Sequence, residues 1–273
     1  MRGIIFSKDR ACQLHLLLES LQINDPYKVF DDVHVIYTNT SDEFDKGYDI
    51  TAREFPDVEF HKQGLFKQDV MDLLHSCESK LMSFFVDDII LYRKIAFTEQ
   101  DINDLFIAND TSLACMSLRL GSNVRILYQQ NRTMYQPTFS ENGGFYIWNR
   151  RTAPFLENYN YPMSVDGHIF RTEEMRKYAA LVFFNNPNEF ESNLTLEWAK
   201  IVPPLMACPI RSVIVNSPIN RVQDQYRNKF GTVFSFSTKG LNDKYLDGKR
   251  IDLDSINPEK IVASHQELEV KFK

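Results

Sequence analysis

Two adjacent acids interrupt one of the most apolar stretches of the chain, FFVDDIIL, where residues 84–86 precede Asp87 and Asp88 and residues 89–91 follow them. An acid pair after an apolar strand often marks only the return of the chain to solvent. Here the apolar residues continue on both sides, and two like charges in a buried run are costly unless a cation compensates them. A hard divalent ion such as Mn²⁺ or Mg²⁺, held by one or two carboxylates, meets that need and also bridges phosphate oxygens. The pair therefore points to metal-assisted chemistry on a diphosphate.

The acids gain this meaning only at the right place in a fold. In open α/β sheets, ligands bind outside the carboxyl ends of the strands. The first third of the sequence alternates short apolar runs with helical patterns, as β-α-β units do. Strands are expected over 4–6, 33–37, 58–61 and 83–86, the last carrying Asp87 and Asp88 at its carboxyl end. Between them, Leu14, Leu17, Leu18 and Leu21 recur at helical spacing, 48–55 is weakly helical, and 66–75 is helical by pattern. Thr98 and Asp101 make a capping-box-like start to the helix TEQDINDLF. Further on, 115–118 and 144–148 read as strands, and 152–158, 168–180 and 191–200 as helices. The fold class is thus α/β, a mainly parallel central sheet flanked by helices, followed by a more irregular half. No repeat or linker divides residues 1–273, so one domain is expected.

Composition narrows the partners. With 43% hydrophobic residues in 273, the chain can bury a substantial core, and a net charge of -6 argues against nucleic acid. No signal-peptide core and no run of roughly 20 apolar residues is present, so the expectation is a cytoplasmic protein with at most peripheral membrane contact. Cys12, Cys77, Cys115 and Cys208 form no CxxC pair and read as reduced, buried thiols.

In the order and spacing of its elements over residues 2–170, the sequence resembles the GT-A glycosyltransferases. The SKDR loop, the TNTS loop, the FKQDV helix and FFVDDIIL carry the likeness. In that family a DxD-type motif follows a central strand after a nucleotide-binding half; the motif here is a variant, with Val86 and Ile89 beside the acids. The resemblance implies transfer of a sugar from a UDP- or GDP-linked donor to a hydroxyl of a glycan or glycolipid. Residues 1–95 would bind the nucleotide, and residues 96–273 would bind the acceptor and include a C-terminal extension. It implies Asp88 as the metal ligand, with Asp87 sharing the metal or turned toward the ribose or sugar. By the same matching, Phe6, Ser7, Lys8, Asp9 and Arg10 line the base and ribose, although a helix cap by Asp9 paired with Arg10 accounts for that loop equally well. Asn39 either meets the base or makes an Asx turn. Lys67 is a cation placed to approach the diphosphate, or a lone surface lysine.

The second half supplies acceptor candidates. Gly143 and Gly144 permit close approach of backbone to the donor, and Trp148 offers a flat ring for a sugar. Strand alternation sends Phe145 and Ile147 to one face and Tyr146 and Trp148 to the other. Asp166 matches the place where inverting GT-A enzymes carry their base, and a D-G turn or helix cap explains it as well. Glu189 and Glu191 are rival bases, and His168 could contact the acceptor. His265 matches a late histidine that completes the metal site in some members, or is a surface residue. Arg221, Arg227 and Lys229 read as a lid over the diphosphate or as a solvated helix. No P-loop or GxGxxG follows the first strand, which argues against an ATPase or a dinucleotide-dependent dehydrogenase. A sugar-phosphate nucleotidyltransferase would need a glycine-rich loop there, and a non-catalytic nucleotide- or glycan-binding protein is the alternative from another class.

Overall fold

Residues 1–220 and 236–273 are described by the computed structural model. The expected β-α-β alternation is present as β1 (Arg2–Lys8), α1 (Ala11–Asn24), β2 (Asp32–Thr38), α2 (Asp42–Glu54), β3 (Glu59–Lys62), α3 (Phe66–Ser76) and β4 (Leu81–Val86). β1 lies parallel to β2 and β4, and β2 parallel to β3, so Asp87 and Asp88 follow β4 at the carboxyl edge. The acids stand between β4 and β5 (Ile89–Leu91), and α4 (Glu99–Asn109) then opens with the capping box of Thr98 and Asp101.

The chain continues through β6 (Leu113–Ser117), the small ladder of β7 (Ile126–Leu127) with β8 (Arg132–Thr133), β9 (Ser140–Asn142), β10 (Phe145–Asn149) and β11 (His168–Arg171). α5 (Thr172–Leu181), α6 (Pro187–Trp198), β12 (Leu205–Pro209), β13 (Ile214–Asn216) and α7 (Thr238–Leu246) follow. Nine strands form one sheet in the order β3-β2-β1-β4-β11-β6-β12-β10-β9. β11 is antiparallel to both neighbours, and β10 to both of its own, so every other strand runs in one direction. This is the mainly parallel α/β sheet flanked by helices that the GT-A resemblance implies. Alternation along the strands feeds two cores. Ile5, Val35, Phe85 and Ile147 pack with α1, α2 and α4, while Ile4, Phe6, Phe84 and Trp148 pack with α3, α5 and α6.

Three helical expectations need correction. Residues 152–158 form no helix: Pro154 drives Ala153 to extended backbone, and short turns at Arg150–Thr152 and Asn158–Asn160 flank it. Residues 168–171 are strand β11, because a largely buried segment between β4 and β6 satisfies its backbone from both neighbours; helix α5 begins only at Thr172. The third helix starts at Pro187, earlier than residue 191, with Asn186 as its cap and proline at its first position.

Two glycine sites shape the sheet. Gly143 and Gly144, at φ +59° and +84°, form the two-residue turn of the β9–β10 hairpin, where Asn142 pairs with Phe145. Primed turns require such angles. The turn lies four strand positions from β4, about 19 Å at ordinary strand spacing, so these glycines serve the hairpin and not an approach to the acids. Gly167, at φ +68°, donates its N–H to Phe84 O at 2.8 Å and accepts from Leu118 N at 3.0 Å. A Cβ there would lie 2.1 Å from Ile214 Cδ1. Gly167→Ala is expected to lower stability by roughly 2 kcal/mol, read as a fall in the urea unfolding midpoint at constant slope.

Candidate active site

The carboxyl ends of β1 and β4 meet in a buried ion pair. Arg10 Nη1 lies 3.0 Å from Asp87 Oδ1 and 3.4 Å from Asp88 Oδ2. The rest of the Arg10 fork holds Asn220, with Nε donating to its Oδ1 at 2.8 Å and Nη2 to its carbonyl at 2.6 Å. Asp87 Oδ2 accepts from Ser7 Oγ at 2.9 Å and from the Lys8 N–H at 3.1 Å. Tyr48 completes the cluster, its hydroxyl 2.8 Å from Ser7 Oγ and accepting from the Arg10 N–H at 3.2 Å. Burial pushes the Asp87 carboxyl up, Arg10 opposes this, and the like charge of Asp88 pushes it up again, leaving it raised. Both Asp87 oxygens accept hydrogen bonds, so the carboxylate is turned inward to Arg10 and Ser7.

Asp88 is the more open acid, with 17% of its side chain exposed. Its Oδ1 accepts from Asn216 Nδ2 at 3.3 Å, and its carbonyl from Ser217 N at 2.8 Å. Asn216 sits there because β13 pairs with β5, placing it opposite Ile89, and it also bridges to His265. His265 Nε2 lies 3.3 Å from Asp166 Oδ2, to which Arg119 Nη1 donates at 2.9 Å. Asp88, Asn216, His265 and Asp166 are thus linked by successive contacts. Burial disfavours the Asp166 carboxylate, but the His265 contact and the Arg119 charge outweigh it and hold the pKa down at about 2. Behind it, Glu191 accepts from Tyr161 Oη, Ser164 Oγ and Val165 N, and burial together with Asp166 raises its pKa.

Several expected site residues lie elsewhere. The Phe6 ring packs between Phe66 and Phe84, so only its carbonyl, which accepts from Asp87 N, reaches the cluster. Asp9 neither caps a helix nor pairs with Arg10; its carboxylate holds Thr40 through the N–H at 2.7 Å and the hydroxyl at 2.9 Å. Lys8 has an exposed side chain, and Asn39 donates to Ser41 O within its own loop. The Lys67 ammonium donates to the carbonyls of Ala180 and Val182, pinning α3 to the end of α5 and away from the acids. Trp148, 2% exposed, donates to Tyr159 O, and His168, 0% exposed, lies against Cys115 Sγ; as core residues they present no surface to an acceptor. Burial and the Arg119 charge lower the His168 pKa to about 3. Glu189 accepts from Asn185 N at the start of α6, a capping role. Arg221, Arg227 and Lys229 lie outside the described residues.

Asp87, Asp88 and His265 are not gathered into one ligand cluster: among the described residues, the trio with ligand atoms within 4.8 Å of one another is His34, Glu59 and His61. Sequence reasoning also missed Arg119, Asn216 and Asn220. Among the described residues, Arg119 Nε, Asn216 Oδ1 and Asn220 Nδ2 are buried without hydrogen-bond partners, a pattern that a bound polar ligand would satisfy. A concavity of about 440 Å³ lies instead at the outer edge, lined by Phe139, Ser140, Asn149 and Leu205. It carries none of the acids described above.

No protein-family model matches the chain. A curated relative, the bifunctional glycosyltransferase pgtA of Dictyostelium discoideum, is 27% identical over 93% of this chain. The chain spans 38% of the length of that relative. The resemblance to glycosyltransferases is borne out by this relative. Among solved structures, S. aureus TarS residues 1–349 in complex with UDP superposes with a TM-score of 0.45 at 12% identity, over 76% of this chain and 57% of that one. A cytidylyltransferase from Leptospira borgpetersenii gives 0.40 at 14% identity, over 73% and 71%. At these TM-scores neither structure carries weight in assigning the chemistry. Among the described residues, no helix is long and apolar enough to cross a membrane.

Removing one partner of a buried pair strands the other charge. Arg10→Ala and Asp87→Ala are each expected to cost about 3–5 kcal/mol. The double variant should cost less than their sum by about 1 kcal/mol or more in a denaturant-based cycle. Additivity would mean that the pair does not act as a unit.

Proposed function

We propose that this chain is a glycosyltransferase that moves a sugar from a UDP- or GDP-linked donor to a hydroxyl of a glycan or glycolipid. The reading calls for a divalent ion, Mn²⁺ or Mg²⁺, which Asp88 would hold. The observation that carries the reading is the contact path Asp88–Asn216–His265–Asp166 at the carboxyl edge of the parallel strands. It sets a partly exposed acid suited to a cation beside a second acid suited to a hydroxyl. The glycosyltransferase relative supports the same class.

The donor set fits a hard ion through Asp88 and not through an Asp87–Asp88–His265 triad. Asp88 offers a carboxylate, and the neighbouring Asn216 Oδ1 is a buried oxygen without a partner. Asp87 stays with Arg10, whose single positive charge offsets one of the two acids. When bound, the ion screens the charge that develops on the departing diphosphate. Exposed Lys8, at the end of β1, is a further cation for the phosphates, and Asn39 and the Thr40 loop held by Asp9 border the nucleotide.

On the acceptor side, Arg119 and His265 hold Asp166 ionised, ready to take the hydroxyl proton while the oxygen attacks the anomeric carbon from the face opposite the leaving group. Inversion would follow. A carboxylate held near pKa 2 is a weak base, and one matched to the working pH is more effective. Glu191, raised by burial, is the rival with better-matched basicity.

Asp88→Ala is expected to abolish the Mn²⁺-dependent rise in melting temperature produced by a matching UDP- or GDP-sugar, without loss of fold. A metal-dependent shift that survives in this variant would overturn the assignment of the ion to Asp88. Asp166→Asn should keep the donor-induced shift and lose turnover by about 10²–10⁴-fold, a loss typical of a missing general base. Full turnover there, with collapse in Glu191→Gln, would move the role to Glu191. Donor binding with no transfer to any glycan acceptor would instead mark a binding protein.

A further inference from the structure

A second cluster of ligand atoms lies away from the acids, on the outer strands. His34 is the third residue of β2, Glu59 is its cross-strand partner on β3, and His61 follows two residues on, on the same face. His34 Nδ1 lies 3.0 Å from His61 Nε2 and 3.4 Å from Glu59 Oε2, and His61 Nε2 lies 3.7 Å from Glu59 Oε2. A tetrahedral ion with bonds of about 2.0–2.1 Å separates its ligand atoms by about 3.4 Å. The three observed separations bracket that value.

The surroundings fix which nitrogen faces the cluster. His34 Nε2 pairs with Asp32 Oδ1 at 2.7 Å, and Arg2 Nε holds the other Asp32 oxygen at 2.7 Å. Arg2 is itself buried and donates to Leu73 O and Ser76 Oγ. A carboxylate behind a histidine sets its tautomer: the proton stays on Nε2, and the Nδ1 lone pair points to the cluster. His34 is buried, whereas the side chains of His61 and Glu59 are 37% and 67% exposed, so water can reach a fourth position.

We propose that His34, Glu59 and His61 bind a borderline divalent transition ion of the Zn²⁺ type, which clamps the edge strand β3 to β2. A hydrogen bond between the two imidazoles would account for the 3.0 Å contact alone, while one cation accounts for all three ligand atoms and for the carboxylate behind His34. Nitrogen donors favour zinc-type ions over the hard Mg²⁺ or Mn²⁺ that suits Asp88, so the two sites are separable by metal type. The ion's role is structural: β3 is a four-residue strand at the edge of the sheet, with a neighbour on one side only among the described residues.

The test uses the full chain stripped with a chelator, then titrated with Zn²⁺ and with Co²⁺. Binding of one equivalent is expected, with the visible absorption of tetrahedral Co²⁺. The melting temperature should rise by about 5 °C when free Zn²⁺ is 100-fold above Kd. His61→Gln and Glu59→Gln, both at exposed side chains, should weaken or abolish the Co²⁺ spectrum and the Zn²⁺ shift, while His75→Gln, an exposed histidine outside the trio, should keep both. No stoichiometric binding by the stripped chain, or an unchanged spectrum and shift in His61→Gln, would overturn the proposal.

Discussion

The buried pairing of Arg10 with Asp87 is the constraint on which the site depends. An ion pair removed from water is retained at tolerable cost only when its remaining donors and acceptors are satisfied. Here Ser7, the Lys8 N–H and Asn220 do that work, so the pair joins the ends of β1 and β4 to the chain at residue 220. Its effect on Asp88 follows from charge alone. Two acids and one arginine leave a single negative charge, carried by the more exposed carboxylate. The adjacent acids therefore differ, with Asp87 closed in by Arg10 and Ser7 and Asp88 left the more open of the two.

A second constraint brings the two halves of the molecule together. β11 enters the sheet between β4 and β6 against the direction of both, and Gly167 at its start allows the close packing beneath Ile214. Asp166 precedes that glycine, so the turn that admits the strand also delivers the carboxylate to the rim occupied by Asp88. Arg119, just beyond β6 on the other side of β11, is then near enough to hold it. A late segment closes the circuit, because His265 is bridged to Asn216, whose strand β13 is paired with β5 beside the acids.

How much of this was legible in the sequence depended on how local the signal was. β1 to β4 and their helices carry their periods within a few residues, and the Thr98–Asp101 box was readable from two letters three apart. β11 was misread because HIF followed by TEEMRKYAA continues a helical pattern, and only the gap between two distant strands makes its first residues extended. Phe6, Trp148 and His168 were misplaced for a related reason. Alternation tells which face of a strand a side chain occupies, but helices α3, α5 and α6, which cover that face, are assembled from far along the chain. Gly143 and Gly144 read as a ligand approach because a primed hairpin and a phosphate loop make the same demand for positive φ.

Arg119 was legible by the rule that singled out Asp87 and Asp88, since SLRLG sets one charge inside an apolar run. A lone cation in such a run must find an anion, and its partner Asp166 lies 47 residues away. Asn216 and Asn220 gave no such warning, because a neutral amide near the end of a strand is ordinary. Charges report burial through the penalty they would otherwise incur, whereas amides do so only when a hydrogen-bond partner is missing. That difference explains why sequence patterns exposed the acids of this site while its neutral positioning residues emerged only from the assembled fold.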